Sequence, residues 1–186
     1  MTEHSIQMDV APELLPLMKL IPSLAPELGK ESDRGCALLV GCILEKYLRA
    51  SIAQAIAIPN KASHFMGRGQ IGKGIESAEC LGLISAVDAK ALKATIQIRN
   101  DFAHVAEPGK SFSSPEVEKA VVGLYSIYRH GDHAAVLQAG ARQAYVSFSL
   151  SLCSLLLARA DQITRRAPPA DLKELTDRMF FWWFRD

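Results

Sequence analysis

The chain has 186 residues, of which 49% are hydrophobic, and its 21 basic and 20 acidic residues give a net charge of +1. This length suits one domain with a buried core, and the apolar fraction excludes a largely disordered chain. The near-neutral charge lacks the basic excess that is typical of nucleic-acid-binding proteins, although a local basic patch remains compatible with it.

Prolines divide the first half of the chain into predicted elements. Four of the nine prolines lie between residues 12 and 26, which predicts short turns there because proline disrupts helix interiors. The proline-free stretch that follows predicts a long helix over residues 32–57, capped by Ser32 or Asp33. We expect a loop over 58–74 and a short helix over 71–81 that ends at Gly82.

The second half of the chain predicts further helices. Ser85 and Asp88 form a capping box, which opens a helix that runs into the hexapeptide Arg99-Asn100-Asp101-Phe102-Ala103-His104 and stops at Pro108. Ser114 and Pro115 are typical of the start of the next helix. A long helix is expected over 132–165, where Ser147, Ser151 and Ser154 would allow a neighbouring helix to approach closely.

These elements indicate an all-α fold, a single helical bundle of about five to seven helices. We predict a proline-interrupted segment over residues 1–30, a bundle core over 31–166 and an aromatic C-terminal helix over 167–186.

Location is predicted from three further features. The N-terminal ten residues lack the pattern of a secretory signal, and four cysteines without a CxxC pair favour buried thiols in a reducing compartment, so we expect a cytoplasmic protein. The uncharged stretch 143–158 is shorter than the roughly 20 residues that a membrane-spanning helix needs, so we expect a buried helix and no membrane contact.

The hexapeptide is the most chemically distinctive feature of the sequence. Histidine carries protons near neutral pH, and arginine binds phosphates through paired N–H donors. Asn100 and Asp101 precede His104 by four and three residues, so either can reach its imidazole, whereas Arg99 lies roughly 140° around an ideal helix from His104. Joint action therefore needs a distorted helix end or a second subunit. The structural alternative is a helix-end histidine, with Arg99 and Asp101 in surface ion pairs.

A second candidate site is the glycine-rich segment 67–72, which reads Gly-Arg-Gly-Gln-Ile-Gly. It lacks the preceding strand that a dinucleotide-binding fingerprint requires. Residues 46–75 nevertheless contain five basic residues and no acidic one. We therefore consider Lys61, Arg68 and Lys73 as candidate phosphate contacts, with a solvated loop as the structural alternative.

Two other patterns are weaker. His130 and His133 have a spacing that can bind metal, but no further ligand lies nearby in sequence, so we predict no metal site. The C-terminal run of five aromatics cannot be buried on one face of a short helix, so Trp182 and Trp183 are candidate contacts to a second subunit.

The sequence also resembles known families. Residues 31–39, residues 78–85 and the 98–104 segment together resemble the mannitol-operon repressor family of bacterial proteins, over roughly residues 30–107. Arg99, Asn100 and His104 resemble the motif of the HEPN superfamily, an arginine and a polar residue followed after a short spacer by a histidine. The HEPN resemblance implies a helical bundle that dimerises and brings two motifs together. In the ribonucleases of that superfamily, the arginine and histidine would promote attack of a ribose 2′-OH on the adjacent phosphate without a metal.

Three functional hypotheses follow, none of which requires a cofactor. The first is a dimeric regulator of the mannitol-repressor type that acts through a protein partner, since the sequence has no helix-turn-helix with a basic recognition helix and direct DNA reading is not expected. The second is a toxin-like, metal-independent endoribonuclease with Arg99, Asn100 and His104 as catalytic residues and Asp101 as an orienting residue. The third is a non-catalytic RNA- or nucleotide-binding module that uses Lys61, Arg68 and Lys73.

Overall fold

The computed structural model describes residues 14–104, 109–128, 138 and 140–162. Within these ranges the chain forms seven α-helices and no strand, which confirms the predicted all-α bundle. The helices are α1 (Leu15–Lys30), α2 (Asp33–Ala55), α3 (Ala62–Phe65), α4 (Ile71–Cys80), α5 (Ala86–His104), α6 (Pro115–Ile127) and α7 (Ala141–Gln162). A short 3₁₀ helix, Pro59–Lys61, precedes α3.

Helix α2 is the centre of the bundle and packs against α1, α4, α5 and α7. One side of α2 is buried along its whole length, with Leu44 and Leu48 inaccessible to solvent. The Ser51 hydroxyl lies 3.0 Å from the carbonyl oxygen of Tyr47 and 3.1 Å from that of Leu156, and it can donate to either. Because a serine side chain is small, α2 and α7 approach each other closely at this point.

Helix α1 contradicts the prediction of short turns before residue 28. It is a continuous helix of 16 residues that contains Pro22 and Pro26 and has Pro16 in its first turn. Pro16 costs little there because first-turn N–H groups have no helical partner. Pro22 and Pro26 are one turn apart on an exposed face, where water can reach the carbonyls that they leave without a helical donor. Packing of the opposite face on α2 and α7 outweighs the remaining cost.

Most predicted helix ends are correct because they depend on local chemistry. Ser32 caps α2 by accepting from the Gly35 N–H at 3.0 Å. Ser85 and Asp88 form the expected capping box, in which each side chain accepts from the other residue's N–H. Gly82, with φ of +72°, follows α4. Ser114 precedes α6, but its hydroxyl accepts from the Ser111 N–H and does not cap the helix.

Several boundaries and exposures differ from the prediction. Residues 59–65 are helical, so the expected loop is shorter than 58–74. Gly140 has φ of +82° immediately before α7, which interrupts the helix expected from residue 132. Cys42 and Cys80 are exposed, whereas Cys36 and Cys153 are buried as expected. The prediction that a neighbouring helix approaches α7 at three serines is wrong, because all three are exposed: Ser147, Ser151 and Ser154. Ser151 and Ser154 donate to the carbonyl oxygens four residues earlier in their own helix, and Ser147 accepts from the Gln143 side chain.

Among the described residues, no helix combines the length and apolar character that crossing a membrane requires. The predicted aromatic helix over 167–186 lies outside the described part of the chain.

Candidate functional site

The hexapeptide forms the C-terminal end of α5, and the start of α2 holds it in place. The Arg34 guanidinium donates to the carbonyl oxygen of Ala103 at 3.1 Å. The buried ring of Phe102 packs against Phe112, with 4.8 Å between ring centroids. The Phe112 N–H in turn donates to an Asp33 carboxylate oxygen at 2.9 Å. The backbone of the hexapeptide is therefore fixed by two adjacent residues in the first turn of α2.

Arg99 lies across α2 at Gly41. A Cβ atom added at Gly41 would come within 2.9 Å of the Arg99 Cγ atom and 3.0 Å of its Nε atom, so only glycine leaves room for this side chain. The guanidinium is half-buried, and its Nη1 atom donates to the Asn100 side-chain oxygen at 2.9 Å. The Arg99 Nε atom is buried and has no hydrogen-bond partner within the described ranges.

The charge of Arg99 has no acidic partner among the described residues. The surface ion pairs considered for Arg99 and Asp101 are absent there, since neither residue pairs with a described charge, and Asp101 accepts from the Gln97 side chain at 2.8 Å. Burial raises the pKa of the nearby Tyr145 phenol, and the positive charge of Arg99 opposes that rise. The result is a half-buried cation that is held in place but not neutralised by any described residue.

The structure brings Arg99 and Asn100 together, but the remaining predicted partner is only partly described. His104 is the last residue of α5, and its side chain lies outside the described part of the chain. Asn100 contacts Arg99 at a sequence separation of one residue. Asn100 therefore orients the arginine. Its spacing in the sequence had instead suggested a contact with the imidazole of His104.

The glycine-rich segment also packs on α2, through an arginine that sequence reasoning did not select. The Arg49 guanidinium donates to the carbonyl oxygens of Met66 at 2.8 Å and Gly67 at 3.4 Å. The same group forms an ion pair with Glu45 at 3.0 Å, and Glu45 accepts from the Gly69 N–H at 3.3 Å. Arg49 and Glu45 thus fix the segment to the outer side of α2.

This packing leaves a cavity of about 630 Å³ between α2 and the segment, wide open to solvent. Six residues line it: Cys42, Glu45, Lys46, Arg49, Arg68 and Gly69. Of the predicted phosphate contacts, Arg68 lines the cavity, whereas Lys61 and Lys73 are exposed and do not. Lys46 and Arg49 were not selected from the sequence, although the acid-free run 46–75 includes both and was the available signal.

Two further pairs of residues considered in the sequence lie outside the described residues, namely His130 with His133 and Trp182 with Trp183. Within the described part of the chain, no group of three or more His, Cys, Asp or Glu residues has the proximity to hold a metal ion.

No protein-family model, curated protein or solved structure matches the chain.

Proposed function

We propose that this protein binds and cleaves RNA as a metal-independent ribonuclease of the HEPN type, with Arg99 binding the scissile phosphate. The observation that carries this proposal is the half-buried Arg99 guanidinium, which has a buried Nε without a partner and no carboxylate beside it among the described residues. The buried Nε atom lies against Gly41, so a bound anion would be held by the Nη donors of the half-buried guanidinium. A phosphodiester suits this position because its oxygens accept paired donors from a planar guanidinium.

The proposed chemistry assigns roles to the other hexapeptide residues. Asn100 restrains the guanidinium through Nη1 and leaves the remaining donors for the phosphate. The ribose 2′-OH attacks the adjacent phosphorus and loses its proton to the imidazole of His104. The bond from phosphorus to the 5′ oxygen breaks, and that oxygen takes up a proton. A second His104, from the other subunit of a dimer, is the proposed donor, which agrees with the roughly 140° separation of Arg99 and His104 on one ideal helix.

The test is cleavage of single-stranded RNA in EDTA by the purified chain and by Arg99→Lys, Arg99→Gln and His104→Ala. Arg99→Lys keeps the charge and the aliphatic stem over Gly41 but loses the planar donors, so we expect at least a tenfold loss of kcat with little change in the free energy of unfolding. Lys119→Ala on α6, an exposed charge away from α2, is the matched control and should cleave normally. Absence of cleavage by the wild-type chain, or full activity in the hexapeptide variants, would reject the proposal.

A second proposal is that the protein acts as a regulator through protein contacts, as the resemblance to the mannitol-operon repressor family implies. The observation that favours it is an apolar patch on the outer face of α2, formed by Leu39 and Ile43. Leu39 is 40% exposed although α2 is otherwise the most enclosed helix of the described bundle. Because Leu39 and Ile43 lie one turn apart on the same face, this patch suits contact with a second copy of the chain.

Sedimentation at micromolar concentration tests the second proposal. We expect a dimer for the wild type and a shift toward monomer for Leu39→Glu. Val87→Glu is the control, since Val87 is 45% exposed on a different helix. A monomeric wild type would count against both proposals, whereas a dimer unaffected by Leu39→Glu would place the contact elsewhere, with Trp182 and Trp183 as the next residues to substitute.

A further inference from the structure

The cavity between α2 and the glycine-rich segment carries an excess of positive charge. Three of its lining residues are cations, Lys46, Arg49 and Arg68, and one is an anion, Glu45. Lys46 and Arg49 come from α2, whereas Arg68 comes from the opposite wall. A ligand in this cavity would therefore be approached by positive charge from two sides.

Two of these residues are already engaged in holding the cavity together. Arg49 binds the carbonyl oxygens of Met66 and Gly67, and Glu45 pairs with Arg49 at 3.0 Å. Their charges offset each other. What they stabilise is the wall that carries Arg68, so we assign Arg49 and Glu45 a positioning role.

The opposite wall is a tight turn that presents Arg68. The Gln70 N–H donates to the carbonyl oxygen of Gly67 at 3.2 Å, which closes a four-residue turn with Arg68 in its second position. The third position, Gly69, has φ of +69°, a conformation that side-chain-bearing residues rarely adopt. Glycine at this position thus sets the direction of Arg68 at the mouth of the cavity.

Lys46 and Arg68 are the two cations available to a ligand. Both side chains are exposed, and neither has an ion pair or hydrogen bond with any residue that the structure describes. Helix α4 begins two residues after Gly69, and its first turn has neither a capping side chain nor an acidic residue. That helix end also favours negative charge, but no residue of α4 lines the cavity, so Lys46 and Arg68 are the groups that select the ligand.

The cavity lies beside the point where Arg99 crosses α2. Glu45, which lines the cavity, follows Gly41 by four residues, so both lie on one face of α2 about 6 Å apart along its axis. Neither Gly41 nor Arg99 lines the cavity itself, so an RNA strand bound at both places would run along the surface of α2. A volume of 630 Å³ also falls in the range of small-ligand pockets, enough for one nucleotide.

We propose that this cavity binds a phosphate group through Lys46 and Arg68, and that the phosphate belongs to an RNA nucleotide next to the one held at Arg99. The second half of this inference rests on the proposed function. Lys46 and Arg68 act here as substrate-binding residues remote from the reacting bond, so their loss should raise KM and leave kcat nearly unchanged.

Cysteine labelling gives the most direct test, because Cys42 lines the cavity and Cys80 does not. Both thiols are exposed, whereas burial raises the pKa of Cys36 and raises that of Cys153 to about 12, which keeps those two unreactive. The modification rate with N-ethylmaleimide is followed for each cysteine by mass spectrometry in the wild-type chain. The added ligands are inorganic phosphate, uridine monophosphate and a 2′-O-methyl RNA oligonucleotide, which binds but cannot be cleaved by 2′-OH attack.

We expect the RNA to slow modification of Cys42 at least fivefold while Cys80 reacts at an unchanged rate. Protection by phosphate or the mononucleotide but not by the RNA would identify a site for a free phosphate compound and overturn the RNA assignment. If none of the three ligands changes the rate of modification at Cys42, the proposal is overturned altogether.

A second measurement uses variants and the same uncleavable RNA. Each phosphate contact removed should lower the slope of log K against log salt concentration by about 0.7 for a single strand. We expect this for Lys46→Ala and Arg68→Ala, each with a Kd raised several-fold, and no change for Lys119→Ala on α6. Salt-dependent binding that both cavity variants retain in full would reject the cavity as an RNA site. Because the oligonucleotide is not cleaved, this binding measurement tests the cavity even if the protein proves not to be a ribonuclease.

Discussion

The side chain of Arg99 fills the space that a Cβ atom at Gly41 would occupy, with only 2.9 Å between that position and the Arg99 Cγ atom. The two residues come from different helices, and their contact fixes where the guanidinium lies. The absence of a side chain at residue 41 is therefore part of the candidate site.

Gly41→Ala should lower RNA cleavage without a large change in the stability of the fold. The added methyl group would displace the Arg99 side chain, but alanine also favours the helix by up to about 1 kcal/mol over glycine. We expect the free energy of unfolding to change by less than about 1 kcal/mol, while RNA cleavage falls at least tenfold. The control is Gly123→Ala on α6, where a Cβ would meet nothing within 4 Å. That variant should be slightly more stable and fully active, as measured by urea denaturation and the cleavage assay.

Arg142→Met should be among the most destabilising surface-accessible substitutions. Arg142 on α7 donates to the carbonyl oxygens of Leu28, Gly29 and Glu31 at the end of α1 and forms an ion pair with Asp33 at 3.2 Å. Methionine keeps the apolar stem but leaves these acceptors without their cation, so we expect a loss of about 2–4 kcal/mol in the free energy of unfolding. Glu27→Ala breaks an exposed pair with Lys30 and should change stability by no more than about 0.5 kcal/mol. Equal effects of the two substitutions in urea denaturation would contradict this role for Arg142.

Asp88→Asn should change how stability depends on pH. Burial alone would raise the pKa of Asp88, but hydrogen bonds from Ser85 and Tyr128 and the charge of Arg159 outweigh it, and the pKa lies below its usual value. The ionised form is thus favoured in the folded chain. Its contribution to stability is complete above the unfolded-state pKa of about 3.9 and is lost as the pH falls through the lower folded-state value.

At pH 7 we expect Asp88→Asn to lower the free energy of unfolding by about 1.5–3 kcal/mol, because the bonds to a charged acceptor are weakened. The difference from the wild type should shrink below pH 4. Tyr128→Phe, which removes a single bond at 2.8 Å, is the milder control and should keep the pH dependence. Urea midpoints measured between pH 3 and 7 check this, and a difference that stays constant with pH would contradict it.

Pro26→Ala should stabilise α1. Pro26 is exposed in the middle of the helix, and alanine would restore a donor for the carbonyl oxygen of Pro22. Proline costs about 3 kcal/mol relative to alanine inside a helix, but it also restricts the unfolded chain, so we expect a net gain of about 1–2 kcal/mol. Pro16→Ala, in the first turn, should give no gain. A Pro26→Ala variant that unfolds at lower urea than the wild type would refute this.

The sequence predicted those features that depend on neighbouring residues. The capping box of Ser85 and Asp88, the cap at Ser32 and the end of α4 at Gly82 all involve groups within a few positions, so their chemistry is visible in the printed sequence. Helix α1 was wrongly predicted because the packing that offsets Pro22 and Pro26 comes from α2 and α7, which are distant in sequence.

The candidate sites were predicted only in part for the same reason. The sequence selected the arginine of the hexapeptide as a candidate, but its unpaired Nε atom and its place over Gly41 depend on a second helix and were not predicted. The cavity was not predicted because Arg49 must first bind the carbonyl oxygens of Met66 and Gly67, 17 and 18 residues away, before Arg68 faces Lys46. The basic run over residues 46–75 indicated positive charge, but not which of its lysines and arginines lie close together in the fold.

Ser51 has a consequence for how closely α2 and α7 can pack. Its buried hydroxyl lies 3.1 Å from the Leu156 carbonyl oxygen, so a larger side chain would not fit between the two helices at this point. If that bond is lost, the hydroxyl can still donate to the carbonyl oxygen of Tyr47 on its own helix, so the donor keeps a partner. The small volume of Ser51, more than its hydrogen bond, therefore sets the distance between these two helices.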